Sequence, residues 1–226
     1  MAASTDGFQG ISRFGYTPSG QRVDNITDWA LAQFHARYTE EPGGPALGKD
    51  DIFAYTYAAL HDPVWRETYA ADLRRQFPRI MLHDGFARWR DWGARLLELH
   101  IGYEAAEPFA LARANTPEPK RGVEPKLRSV LPEGAATGSV IVDSVTTLGG
   151  IPRAAWDYRL GNRSAIDWVL DQHKEKTPRD PTVAARFNTY RFADHKEAMI
   201  ALLERVVTVS LETVAIVEAM RAARTA

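Results

Sequence analysis

Apolar residues recur at helical spacing near both ends of the chain and at strand spacing between them. Ile26, Trp29, Leu31, Ala32 and Phe34 predict a helix over residues 25–38, with Asn25 as its cap and Asp28 three positions on. DDIFAYTYAAL at 50–60 reads as a second helix, offering Ile52, Phe53, Tyr55, Tyr57 and Leu60 for packing. Asp62-Pro63 then restarts the chain. Asp62 is a suitable N-cap, and Pro63 at the first helical position loses no needed N–H. Trp65, Tyr69 and Leu73 follow at spacing four, up to Pro78. A further helix is predicted over 84–106, with Phe86, Trp89, Leu96, Leu99 and Tyr103 inward, weakened by Gly93 and Gly102. At the other end Met199, Leu202, Val206, Val209, Thr213, Ile216 and Met220 step by three and four. That stripe predicts a long helix over 194–220; the β-branched run RVVTVSLETV fits a strand, but length and unbroken period favour helix.

Between these lie strands at 127–131, 139–142 and 145–148. The stretch VIVDSVTTLGGIPRAAWDYRLGNRSAIDWVLDQHKEK at 140–176 is the densest in signals. It predicts strand, a turn at Gly149-Gly150, a short Ile-Pro-led helix, strand, a turn at Gly161-Asn162, and a helix. Ser164 caps that helix with Asp167 three places on, as in a capping box. Ile166, Val169 and Leu170 form its apolar face, with Trp168 at the edge. Residues 1–24 lack periodicity and read as a flexible lead-in. Residues 105–125, with Pro108, Pro117, Pro119 and Pro125, read as a spacer, and 176–192 as a loop with a helical turn at 182–187. The expected fold is α+β and predominantly helical. A helical subregion at 25–115 packs with a small, mostly antiparallel β unit and a long C-terminal helix at 116–226, together one domain.

Composition narrows the chemistry. The chain has no cysteine, which removes disulfides, thiolate metal sites and thiol nucleophiles. MAASTDGFQG has neither a basic start nor an apolar core, and no run approaches the roughly 18 apolar residues of a membrane span. A cytoplasmic protein with no membrane partner is expected. Net charge is −1, so no overall positive excess points to nucleic acid, yet 22 of the 28 basic residues are Arg. Arg suits carboxylates, phosphates and guanine edges. Lys120, Arg121, Lys126 and Arg128 form the most basic local patch, able to touch a phosphate backbone or simply be solvated.

Two motifs invite stronger readings. The segment from Gly43 to Lys49 has P-loop spacing, but Asp50 replaces the hydroxyl that would reach magnesium, and the segment follows a helix rather than a strand. The match is accidental. His61-Asp62 and His83-Asp84, with His35 and His100, raise a metal-dependent phosphohydrolase; the simpler reading is that both pairs mark helix boundaries.

Four stretches, in order, carry a resemblance. They are DNITDWAL at 24–31 leading to KDDIFAYTYAALHDPVWRETYAADLRRQFPRI at 49–80; LLELHIGYE at 96–104; TTLGGIPRAAWDYRLGNRSAIDWVLDQHKEKT at 146–177; and FNTYRFADHKEAMIALLERVVTVSLETVAIVEAM at 187–220. Together they resemble the C-terminal specificity domain of Type ISP restriction–modification enzymes. Residues 105–145 and 1–23 lie outside the resemblance. The family implies a region that reads a DNA target for an adenine methyltransferase, an ATP-driven translocase and a nuclease on the same polypeptide. It implies no catalysis, cofactor or metal in this chain. S-adenosylmethionine, ATP and magnesium would serve the associated domains, and the partners would be double-stranded DNA and those methyltransferase and helicase/translocase domains. Within that frame the candidate readers are Arg153, Arg159, Asn162 and Arg163, then Lys174, Lys176, Arg179, Arg186, Asn188, Tyr190 and Arg191, beside the basic patch. The competing readings are a protein-interaction module whose aromatic helices (Trp65, Trp89, Trp92, Tyr103) dock a methyltransferase or helicase partner, and the phosphohydrolase.

Overall fold

The computed structural model describes residues 14–41, 46–176 and 190–225. These described residues form two compact units, one of those up to Glu98 with 220–225, the other of those from Leu99 to Ala219. The fold is α+β and mainly helical, as the periodicities predict.

The first unit opens with β1 (Phe14–Tyr16) and β2 (Arg22–Asp24), an antiparallel hairpin within the stretch expected to be a flexible lead-in. Three-residue strands are too short to show alternation in sequence. Helix α1 (Asp28–Tyr38) starts later than expected: Thr27, not Asn25, caps it, its Oγ1 accepting from Ala30 N at 3.1 Å. Trp29 is exposed, while Phe34 and Tyr38 are buried. Helix α2 (Lys49–Ala59) begins at Gly48, whose N–H donates to the Asp51 carboxylate at 2.8 Å. Lys49 pairs with Asp28 at 2.7 Å, which gives the false P-loop lysine a structural partner. Helix α3 (Pro63–Thr68) starts as expected, with Asp62 accepting from Val64 N at 3.0 Å. Helix α4 (Phe86–Ile101) is shorter than predicted. Gly93 is not a mere weak point in it: a Cβ there would lie 1.7 Å from the Ala54 carbonyl oxygen, so the backbones of α2 and α4 nearly touch at this position. Tyr38, Tyr55, Phe86 and Trp89 fill the core beside that approach.

The two His-Asp pairs have separate structural roles. His61 bonds the Tyr57 carbonyl through Nδ1 at 2.7 Å, and Asp84 pairs with Arg37. His83 stacks on Trp89 at 4.1 Å and takes a hydrogen bond on Nδ1 from Arg224 at 2.8 Å; Asp62 Oδ2 stands 3.6 Å from its Nε2. Among the described residues no group of three or more His, Asp or Glu is placed to hold a metal ion. Burial, then the Arg224 charge, holds the His83 imidazole below its ordinary value of 6.5. The unfolded chain therefore takes up a proton before the folded one does. Stability is full above about pH 6.5 and declines as pH falls through that value towards the lower folded one. Urea midpoints measured from pH 7.5 to 5 should fall on the acid side, and His83→Gln should flatten that part of the profile.

The second unit is built on a four-stranded antiparallel sheet, order β3-β6-β5-β4: β3 (Ala112–Asn115), β4 (Pro125–Val130), β5 (Thr137–Asp143) and β6 (Thr146–Pro152). β3 falls in the expected spacer, and every residue of it is exposed. Gly149-Gly150 is not a turn. Gly138 pairs with Ile151 and Ser139 with Gly149, so Gly150, at φ +80°, is the extra residue of a bulge in β6. The bulge shifts the side-chain phase by one, which returns Ile151 to the core after Thr146 and Leu148. A short 3-10 helix (Arg153–Trp156) leads to the hairpin β7 (Arg159–Leu160) and β8 (Arg163–Ser164), with Gly161-Asn162 as its two-residue turn, as expected. Helix α5 (Ala165–Gln172) is capped by Ser164, whose Oγ accepts from Asp167 N at 3.0 Å. The full capping box does not form, because the Asp167 carboxylate instead accepts the hydroxyls of Ser164 at 2.7 Å and Ser129 at 2.5 Å. The last helix, α6 (Lys196–Thr225), follows a 3-10 turn at Phe192–His195. Its buried Met199, Leu203, Val206 and Val207 join Val140, Leu148, Ile166 and Val169 in one core. No described helix is long and apolar enough to cross a membrane. The helical turn expected at 182–187 lies outside the described residues.

Candidate nucleic-acid interface

One open concavity of about 360 Å³ in the second unit gathers β4, the β7–β8 hairpin and α5. Arg128, Arg159, Asn162, Arg163 and Lys174 line it, together with Ser129, Asp167 and Asp171. Arg128 arrives there through a fault in the ladder. Pro125 pairs with Asp143 and Arg128 with Ile141, so β4 carries one residue too many. Leu127, inside that bulge, has φ +38° and yet is buried in the core. A left-handed residue with a branched side chain is costly, by about 1–3 kcal/mol, and persists because its neighbours hold it. The bulge sends Leu127 inward and leaves Arg128 exposed at the rim.

The hairpin supplies the opposite wall. Gly161, at φ +68°, occupies the first central turn position, and Asn162 has no positive φ, the pattern of a type II′ turn. The Arg159 guanidinium donates to the Asn162 carbonyl across the turn, which stiffens the tip. Arg163 pairs with Asp171 at 2.7 Å, and Lys174 approaches the same carboxylate at 3.4 Å. Those two cations hold the Asp171 carboxyl below the usual range. Four cations thus face two carboxylates across the hollow, a positive surface on which Arg159, Arg163 and Lys174 are held by local partners.

The other expected readers are scattered. Lys126 is exposed on β4, and Lys120 and Arg121 are exposed before it, Arg121 standing 3.8 Å from Glu124. Arg153 is occupied: it donates to the carbonyls of Ala135 at 2.7 Å and Pro132 at 2.6 Å, pinning the β4–β5 connection. Tyr190 donates to the His173 carbonyl at 3.1 Å and stacks on His195, and Arg191 donates to the Tyr190 carbonyl. Lys176 is exposed. Arg179, Arg186 and Asn188 lie outside the described residues. Sequence reading missed Asp171, whose spacing of eight from Arg163 is no local motif. It also missed an aromatic cavity on the far side of the hairpin, hinted at only by Trp168 at the edge of α5.

Comparison with solved structures gives ten similar chains, among them the following three. The first, from "cryoEM structure DrdV-DNA complex", is 47% identical with a TM-score of 0.84, over 91% of this chain and 21% of that one. The second is a nuclease-deletion mutant of the Type ISP restriction–modification enzyme LlaGI in complex with a DNA substrate mimic. It is 28% identical, with a TM-score of 0.62, over 92% of this chain and 14% of that one. The Type ISP enzyme LlaBIII bound to DNA shares the fold at 22% identity and a TM-score of 0.66, over 91% of this chain and 13% of that one. The chain therefore spans about a fifth or less of the length of these relatives. Among curated proteins none matches. The sequence fits the family description "Type ISP C-terminal specificity domain" over residues 3–202, nearly the whole chain, and this protein belongs to that family.

Proposed function

We propose that this chain is the DNA target-recognition region of a Type ISP restriction–modification system. It reads duplex DNA for an associated adenine methyltransferase, translocase and nuclease, and carries no catalysis of its own. S-adenosylmethionine, ATP and magnesium are then needs of the associated domains. The observation that supports this best is the convergence of Arg128, Arg159, Asn162, Arg163 and Lys174 on one concavity built from short, stiff elements. Arg can bind guanine through two hydrogen bonds and Asn can do the same with adenine, while the remaining cations neutralise phosphates. The relatives solved with DNA favour the same reading. Net charge near zero fits a module whose non-specific grip comes mainly from domains elsewhere on the polypeptide.

The isolated chain is expected to bind duplex DNA at low salt, with log affinity falling linearly as log salt rises. Arg128→Ala should remove about one unit of that slope if Arg128 meets a phosphate, or cost about 1–3 kcal/mol and relax the preferred sequence if it meets a base. Exchanging this region between full-length relatives should carry the methylation target with it. No retardation of any duplex at low salt, with an unchanged target after exchange, would sink the proposal. It would favour instead a docking module; Trp65 and Trp89, expected to dock a partner, are buried in the core, so the surface would be the exposed Tyr69, Phe77, Met81 and Leu82 of the first unit.

A further inference from the structure

The β7–β8 hairpin and α5 have two working faces. Successive strand residues point to opposite sides, so Arg159 lines the cationic concavity and Leu160 lines a second, aromatic cavity. Helix α5 divides in the same way: Asp167 and Asp171 face the concavity, while Trp168 and Val169 face the cavity. That cavity encloses about 220 Å³, below the roughly 300 Å³ at which pockets for drug-sized ligands begin. Its walls include Tyr158 and His100, whose rings stack at 5.3 Å and 11°, and the floor is made by Val169, Val206 and Val209. His100 Nε2 meets Thr213 Oγ1 at 3.0 Å, which fixes the imidazole plane. Trp168 and Leu160 stand at the rim, 43% and 42% exposed. Trp168 and Leu160 thus extend the apolar hollow onto the surface, a combination that marks an interaction site.

We infer that this cavity receives one unstacked nucleobase of the DNA held by the neighbouring concavity. The inference rests on the DNA-recognition reading. Flat walls and an apolar floor suit the π-face of any base, and the lining holds no carboxylate, lysine or arginine that would demand a charged ligand. The phosphates flanking that nucleotide would run towards the Arg128 and Arg159 face of the hairpin and be neutralised there. Stacking of this kind tolerates every base, so the cavity contributes grip where a base is already unpaired, and sequence preference stays with the concavity. Extruding a base costs least where pairing is already lost.

The test compares the whole chain on three DNAs at low salt by fluorescence anisotropy: a fully paired duplex, the same duplex with one bulged nucleotide, and that bulge made abasic. The bulged duplex should bind about tenfold tighter than the paired one, and the abasic bulge, which keeps the kink but has no base, should lose that advantage. Trp168→Ala should abolish the advantage while leaving the paired duplex within about twofold, and Trp168→Phe should restore most of it. Arg128→Ala should weaken all three alike. Equal binding of paired and bulged duplexes would overturn the cavity assignment and leave DNA recognition standing; the hollow would then suit an apolar side chain of another domain. The cavity assignment falls equally if Trp168→Ala weakens all three DNAs to the same extent, or if the abasic bulge binds as tightly as the intact one. Failure to bind any of the DNAs would remove the recognition reading itself.

Discussion

Gly93→Ala should unfold much of the first unit, with a loss of about 4 kcal/mol or more in urea denaturation. Helix propensity alone predicts the opposite, since alanine is better than glycine inside a helix by about 1 kcal/mol. Geometry decides the sign. The added methyl would sit 1.7 Å from the Ala54 carbonyl oxygen, 2.6 Å from its carbon and 3.1 Å from Ala58 N. All three are backbone atoms, so no rotamer change relieves the overlap. Helix α4 must withdraw from α2, and the buried contacts of Tyr55, Phe86 and Trp89 loosen with it. The adjacent, exposed Ala94 gives the control: Ala94→Gly should cost only about 1 kcal/mol. A Gly93→Ala variant as stable as the parent chain would mean that the two helices do not approach this closely.

Lys196→Met should cost the second unit about 3–5 kcal/mol, as expected when a buried carboxylate loses its counter-charge. Asp143 is 3% exposed, and its side chain is held by Lys196 Nζ at 2.7 Å and by the amides of Val145 at 2.9 Å and Thr146 at 2.7 Å. Lys196 also donates to Thr146 Oγ1 at 2.7 Å, so one ammonium ties the start of α6 to the β5–β6 turn. Burial pushes the Asp143 carboxyl up, but Lys196 and the two amides outweigh it and hold it below its ordinary value of 3.8. A depressed carboxylate stabilises the fold above that ordinary value, and the contribution is lost as pH falls through the lower, folded one. Without Lys196 the burial effect prevails, so the acid-induced loss should move to higher pH. Removing both charges, with Asp143→Asn beside Lys196→Met, should recover part of the stability because no lone charge remains buried. If Lys196→Met changes the stability measured in urea at pH 7 by less than about 0.5 kcal/mol, the pair is solvated and the argument fails.

Much of this was legible in the sequence because the signals are local. Asp62-Pro63, the Ser164 cap and the seven-residue stripe of α6 each declare themselves within a few positions. Five of the expected DNA-contacting residues converge for a similar reason: four of them fall between Arg159 and Lys174, on one hairpin and the helix it feeds. What sequence could not supply is non-local. Arg153 reads like its neighbours, but its guanidinium is spent on carbonyls 18 and 21 residues earlier. Gly149-Gly150 satisfies a turn and a bulge equally well, since both want a glycine at positive φ, and only the pairing partner across the sheet separates them. β3 has no buried face, so its Ala-Arg-Ala-Asn carries no alternation to detect. Gly93 reads as a defect until α2 is laid beside it.

The irregular strand β4 bears on how such a molecule stays soluble. It ends the sheet, and a regular outer strand there would offer a free ladder on which a second chain could polymerise. Leu127, turned left-handed, breaks that template in mid-strand, and the Ser129 hydroxyl bonded to Asp167 ties the next stretch to α5. The kink that exposes Arg128 therefore also discourages edge-to-edge aggregation, and straightening it would risk fibrils as well as a lost contact.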